Sequence, residues 1–355
     1  MSTPQTTTPA PEARTPWGKA IGIGIAASLA VLILVLAFLW PSKTSSPHNI
    51  PLTLAGPEAA TAQVKEQLEQ AGDTFTVTTV LDRDAAVQAV KERESYGAVV
   101  LNPTGAPEVL TAPAAGPVPT QLVTGVATQL QAQLSAQTEA AGAEAPQVSV
   151  TAVVPLSADD PTGTGLTAAG FPLAMGGMIA GVMAALLIRG TWQRLATAVT
   201  VSAAGSGLLV WVMQGWFGYL QGNAWMNFLA VGLTILATAT FMIGCVKLLG
   251  RPGMALGPIV TMLIANPISG AQLPPEFLPG AWGGIGQFFV PGAGNTLLRS
   301  LSYFPDAATA GQWLILLGWV ALGVILALVG HASVGRRAAR SRPTTETVDA
   351  EIVEA

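Results

Sequence analysis

Residues 21–40 read IGIGIAASLAVLILVLAFLW, with no charged side chain. At about 20 residues the run has the length a helix needs to cross the hydrocarbon core of a bilayer. Arg14 and Lys19 precede it and no small-x-small cleavage site stands before Pro41, so it reads as an uncleaved signal anchor with its N-terminal side in the cytoplasm. The rest of the chain agrees. Only 10% of its 355 residues are charged, against about a quarter in an ordinary soluble domain. Residues 168–188, 195–246, 252–275 and 307–335 carry no acidic or basic side chain at all.

Further spans are expected at 168–188, 195–214, 225–246, 253–270 and 311–331, six in all. Arg189 and Arg194, Lys247 and Arg251, and the cluster Arg336, Arg337, Arg340 and Arg342 then fall on the same side as Arg14 and Lys19, as the positive-inside rule asks. Dropping the fifth span would put the arginine cluster outside, so it is kept as a helix kinked at Pro258. Most tryptophans lie near span ends, where an amphipathic ring prefers the headgroup layer. The pairs Gly18 and Gly22, Gly177 and Gly181, and Gly253 and Gly257 stand four residues apart, a spacing that lets helices approach closely.

Between the first two spans lies a polar, acidic segment long enough for a folded domain. Ile50–Leu54 reads as a strand, Pro57–Gln70 as a helix with Ala60, Val64 and Leu68 on one face, and Phe75–Val80 as a β-branched strand. Asp82 caps a helix whose apolar face holds Ala86, Val87 and Val90, and Gly97–Leu101 is a short buried strand. After a proline-rich loop come a helix at Leu122–Gln137 and a strand at Val148–Val154, together a small α/β layer. The charges Asp82, Asp84, Glu92 and Glu94 interleave with Arg83, Lys91 and Arg93, as on a solvated helix with ion pairs three or four residues apart. Asp159 and Asp160 before Pro161 read as a turn feeding the second span.

Before the last span, residues 266–305 read NPISGAQLPPEFLPGAWGGIGQFFVPGAGNTLLRSLSYFP. Six prolines exclude a straight spanning helix, and the composition suits short broken helices that dip into a membrane where protein buries the freed backbone groups. The expected fold is an α-helical polytopic membrane protein with six transmembrane helices. It carries a small α/β extracytoplasmic domain between helices one and two and a re-entrant hairpin before helix six. Its parts are a disordered cytoplasmic tail (1–17), the transmembrane anchor (18–40), the extracytoplasmic domain (41–167), and a five-helix membrane domain (168–335) with the re-entrant segment at 271–305. A second disordered cytoplasmic tail (336–355) follows.

Several function classes are excluded on residue grounds. Nothing matches G-x-x-x-x-G-K-[ST], so ATP, if it drives this protein, is bound by another chain. Cys245 is the single cysteine, and with only His48 and His331 there is no metal-ligand cluster and no nucleophile partner, so neither a metal nor a catalytic residue is expected and the protein is read as no enzyme. No basic, aromatic-interleaved face offers itself to nucleic acid. The spans hold no carboxylate of the kind ion-coupled transport uses. Glu276, Arg299 and Asp306 are the ionisable residues of the loop before the last span and the candidates for substrate contact or gating, with the uncharged Asn266 at a span end beside them.

The stretches Asn266-Pro267-Ile268-Ser269-Gly270, Leu273-Pro274-Pro275-Glu276-Phe277-Leu278-Pro279, and Pro291-Gly292-Ala293 followed by Leu298-Arg299, resemble the segment before the final span of type-2 ABC exporter permeases. The likeness is greatest to the phage-infection-protein (YhgE/Pip) branch, which the turn from Val154-Pro155-Leu156 through Asp160-Pro161-Thr162-Gly163 also resembles. The resemblance implies a permease half in the bacterial cell membrane, with both termini cytoplasmic, that pairs with itself or a similar permease and engages a separate cytoplasmic ATPase subunit. Its substrate would be amphiphilic or lipid-like, exported without a cofactor of its own. Such permeases meet their ATPase through a cytoplasmic coupling helix, and the matching candidates here are Arg189, Trp192 and Arg194, in a connection too short for such a helix. The competing expectation is a non-transporting envelope protein whose extracytoplasmic domain binds a partner or phage.

Overall fold

The computed structural model describes residues 16–70, 72–102, 105–140, 145–271 and 273–340. The expected tails fall mostly outside these. The chain divides into two units, residues 1–43 and 44–355. The first holds all but the last residue of helix α1 (Trp17–Thr44), which is apolar over Trp17–Pro41 and carries Pro41 within it.

The second unit begins with a five-stranded sheet: β1 (Ile50–Ala55), β2 (Phe75–Val80), β3 (Gly97–Val100), β4 (Glu108–Thr111) and β5 (Ser149–Ala152) in the order β2-β1-β3-β4-β5. Strand β1 is parallel to β2 and β3, while β4 is antiparallel to β3 and parallel to β5. Buried nearly throughout, β1 shows little polar alternation; β2, at the edge, alternates half-buried Phe75 and Val77 with exposed Thr76 and Thr78. Strand β4 lies where the sequence suggests only a proline-rich loop, and its pairing of Val109 with Val99 is what joins the two halves of the sheet.

Side chains alternate across this sheet. Leu52, Leu54, Val99 and Val109 pack under α2 (Glu58–Gln70) and α4 (Pro117–Ala140). Ala98, Val100 and Leu110 face Ala86 and Val90 of α3 (Arg83–Lys91), in a core that continues into Leu166, Val231, Leu298 and Phe304 of the helical region. The sheet domain is therefore docked through one of its faces on the helices rather than hung from them by a linker.

The helical region contains α5 (Thr164–Leu187), α6 (Thr191–Val210, prolonged by a π-helical stretch Trp211–Trp216), α7 (Ala224–Leu249) and α8 (Gly253–Pro258, prolonged by a π-helical stretch Ile259–Ala265). After these come a 3₁₀ turn at Pro275–Phe277, α9 (Trp282–Gly286), α10 (Val290–Tyr303) and α11 (Ala310–Arg340). Helix α7 is the hub. Of its most apolar stretch 72% is buried, against 22% in α6 and in α11, whose outward faces stay apolar and exposed. Small residues make this possible: a Cβ added at Gly181 of α5 would stand 2.9 Å from the Ala239 oxygen, and one at Gly323 of α11 would stand 2.4 Å from the Thr240 carbonyl carbon. The spacing of Gly177 and Gly181 thus serves packing within the chain.

Among the described residues four helices are long and apolar enough to cross a bilayer: Trp17–Pro41, Thr191–Trp216, Ala224–Leu249 and Ala310–Ser333. The expected second and fifth spans fall on shorter apolar stretches, Met175–Leu187 and Gly253–Ala265. The thirteen residues of Gly253–Ala265 rise roughly 20 Å, less than the roughly 30 Å of hydrocarbon, whereas α5 as a whole is 24 residues long and rises roughly 36 Å. Pro258, expected as a kink, sits where α-helical hydrogen bonding gives way to the π-helical stretch. The segment 271–305 is broken into short helices as its prolines require, and α10, wedged between α7 and α11 through Val290, Ala293 and Leu297, is too short to span. Helix α11 runs on to Arg340.

Candidate functional site at the junction of sheet domain and short helices

The end of α3 builds one side of the site. Asp82 starts this helix as expected, its Oδ1 accepting the Ala85 amide at 2.9 Å. At the other end the Glu94 amide donates to the Ala89 oxygen and the Arg93 amide to the Val90 oxygen, the paired bonds of a Schellman cap. The left-handed position of that cap belongs to Arg93, at φ 61°, where glycine is usual. A non-glycine side chain there costs about 1 kcal/mol, and the contacts of the side chain show what holds it. Arg93 Nη1 donates to Ser300 Oγ at 2.7 Å and to the Thr296 oxygen at 3.2 Å, both on α10, and the guanidinium lies 5.2 Å from the centre of the Phe304 ring.

Two further links join the same elements. Tyr96, just ahead of β3, donates its hydroxyl to Glu276 Oε2 at 2.8 Å, in the 3₁₀ turn before α9. Arg299 of α10 returns the contact, Nη1 donating to the Ala114 oxygen of the sheet domain at 2.8 Å. Burial, reinforced by the Glu276 carboxylate, raises the Tyr96 hydroxyl well above the usual phenol range, so it stays a donor. Burial also lowers both guanidinium groups; for Arg299 the nearby Arg93 charge adds to this and takes it down to about 10. Both arginines remain charged at neutral pH.

Two cavities flank these links. A narrow one of about 40 Å³ is lined by Arg93, Tyr96, Arg299, Asn295 and Thr296 among others. A wider, open one of about 560 Å³ is lined by Glu92, Arg93, Glu94, Glu276, Asp306 and Gln312 among others. The charged residues at the first are Arg93 and Arg299, and those at the second are the carboxylates Glu92, Glu94, Glu276 and Asp306 with Arg93, which like Tyr96 borders both.

Of the residues singled out from sequence, Glu276 and Arg299 lie in this junction and Asp306, exposed, borders its wider cavity. Asn266 does not join them: it follows the π-helical stretch, and its carbonyl accepts the Ser269 hydroxyl at 2.7 Å. Arg189, Trp192 and Arg194 sit at the opposite ends of α5 and α6. There Arg194 Nε closes the end of α5 on the Ile188 oxygen at 2.8 Å, while Arg189 and Trp192 are exposed. Residues 188–190 alone separate the two helices, so no helix occupies that connection.

Arg93, Tyr96 and the α10 acceptors were not visible as a site in the sequence. Arg93 reads there as one charge of an ion-paired helix, yet α3 ends at Lys91. Arg83 likewise pairs away from its own helix, forming a two-pronged contact with Glu108 of β4 at 2.7 and 2.9 Å, and Thr151 Oγ1 donates to the same carboxylate at 2.8 Å. That geometry corrects the expected pairing along α3. The one available signal for Tyr96 was a rare tyrosine directly ahead of a buried strand. Asp160 is a turn residue as expected, its Oδ2 accepting the Gly165 and Leu166 amides in the first turn of α5 at 2.9 and 3.2 Å.

No protein-family model matches the sequence, and no curated protein matches it.

Proposed function

We propose that the chain is the permease half of an ABC-type exporter, moving an amphiphilic or lipid-like substrate across the bacterial cell membrane on ATP hydrolysed by a separate subunit. The observation that carries this reading is the segment 275–303, short helices wedged against α7 and fastened to the sheet domain by Arg93, Tyr96 with Glu276, and Arg299. In that arrangement a movement of the sheet domain is transmitted to α10 and so to the central helix. The resemblance of this segment to type-2 exporter permeases of the YhgE/Pip branch supports the same reading. The chain is then a homodimer or pairs with a similar permease, with six spans, the segment 271–305 re-entrant, both termini cytoplasmic and the sheet domain outside.

One observation favours a second reading, a non-transporting envelope protein whose sheet domain binds a partner or phage: the connections 188–190 and 250–252 leave no room for a coupling helix. Purification from the native host in mild detergent separates the two. A stoichiometric nucleotide-binding subunit with vanadate-sensitive ATPase activity is expected; recovery of the chain alone or with envelope partners would overturn the permease reading. Topology has its own test, made simple because the only native cysteine, Cys245, is buried. A cysteine at the exposed Glu66 should react with an impermeant thiol reagent on intact cells and one at the exposed Arg189 should not; the reverse pattern would overturn the orientation.

A further inference from the structure

Arg93 and Arg299 pose a charge problem. Both line the narrow cavity at the junction, and no carboxylate lines it. Among the described residues neither guanidinium has a carboxylate within ion-pair distance; the ion pairs are Lys65 with Glu69 and Arg83 with Glu108. Glu276 acts on Arg93 and Asp160 on Arg299, but the hydrogen bonds these carboxylates receive come from Tyr96 and from the Gly165 and Leu166 amides. Each arginine makes its hydrogen bonds through Nη1 alone, to neutral oxygens of Thr296, Ser300 and Ala114, which leaves Nε and Nη2 of both without an acceptor among the described residues. Both side chains are half-buried, and a charge drawn partly out of water gains from a partner, since an arginine cannot escape by losing its proton.

We propose that the narrow cavity is an oxyanion site, in which Arg93 and Arg299 hold a phosphate-type group between the sheet domain and α10. Guanidinium forks suit such an anion, which offers several acceptor oxygens to paired N–H donors. Asn295 borders the same wall from α10. The cavity is small, about 40 Å³, and open on one side, so a larger body attached to the anionic group would extend through the opening. The chemistry is shared by a free phosphate and by the headgroup of an anionic lipid, and it stands whether or not the chain transports anything.

The test uses the full chain in neutral detergent, with thermal unfolding followed by tryptophan fluorescence. Inorganic phosphate, titrated against chloride at equal ionic strength, is expected to raise the unfolding temperature saturably. The midpoint should rise at least tenfold in Arg299→Gln. Glu276→Gln, which removes the negative charge that acts on Arg93, should lower it at least threefold; this variant keeps the site testable if Arg299→Gln does not fold. A short-chain phosphatidylglycerol acting at a tenfold lower concentration than phosphate would assign the site to a lipid headgroup, and equal or weaker action would assign it to a free anion. No difference between phosphate or phosphatidylglycerol and chloride, or midpoints unmoved by either substitution, would overturn the proposal.

Discussion

The packing around α7 and the junction around Arg93 hold the same molecule together by opposite means. At α7, backbone approaches backbone across glycine and alanine. At the junction, three long polar side chains reach across a gap that retains two cavities. Close packing fails as a unit when one atom is added, whereas a set of separate polar links can be undone one at a time. The first therefore fixes the bundle, and the second is where the sheet domain can shift without unfolding it.

The sharpest way to break this contrast is to add bulk at the hub. Gly323→Leu drives a side chain into the Thr240 backbone, which cannot move aside, and a loss above about 3 kcal/mol is expected, read as the disappearance of monodisperse protein in detergent. A normal yield would mean that α7 and α11 are not closely packed. Next in size is Arg93→Ala, which removes two charge-assisted hydrogen bonds and the contact with Phe304 while easing little backbone strain; about 2 kcal/mol is expected. Hydrogen exchange should then rise in α3 and α10 and stay unchanged in α7, and a uniform rise would erase the distinction between the two regions.

Tyr96→Phe keeps the ring and loses one hydrogen bond to a carboxylate, worth about 1.5 kcal/mol, with the Glu276 turn loosened. Proteolysis between 275 and 282 is the readout, and cleavage at the wild-type rate would show that this link carries nothing. The smallest effect lies inside the sheet domain. The Arg83 guanidinium, with help from Thr151, holds the Glu108 carboxyl below the ordinary carboxylate range. A depressed folded value gives stability that is complete above the unfolded value of about 4.3 and is lost as pH falls through the folded one. The acid unfolding step should shrink in Arg83→Gln, and an identical acid profile would show that the pair is screened out by solvent.

Much of the fold was legible because it is local. The β2 boundaries, the Asp82 cap and the broken helices of 271–305 follow from β-branched residues, a capping side chain and prolines within a few positions. Strand β4 was not, since Glu108–Thr111 is a four-residue run between prolines that becomes a strand only by pairing with β3 and β5. The site divides the same way. Glu276 and Arg299 stand out as rare charges in an apolar segment, but Arg93 finds Ser300 and Tyr96 finds Glu276 across 207 and 180 residues, and no local pattern announces such a partner. Asn266 lies apart from the junction, because a polar residue at a span end looks alike in sequence whether it borders a cavity or ends a helix.

The π-helical stretches at Trp211–Trp216 and Ile259–Ala265 bear on how the chain tolerates changes in its own length. A π turn closes its ring one residue later than an α turn and so carries a residue that the α ladder would not need. Removing one residue there restores α geometry, whereas the same deletion in α7 rotates every buried side chain beyond it out of register. In a single-codon deletion scan, survivors within the apolar helices should gather at these two stretches.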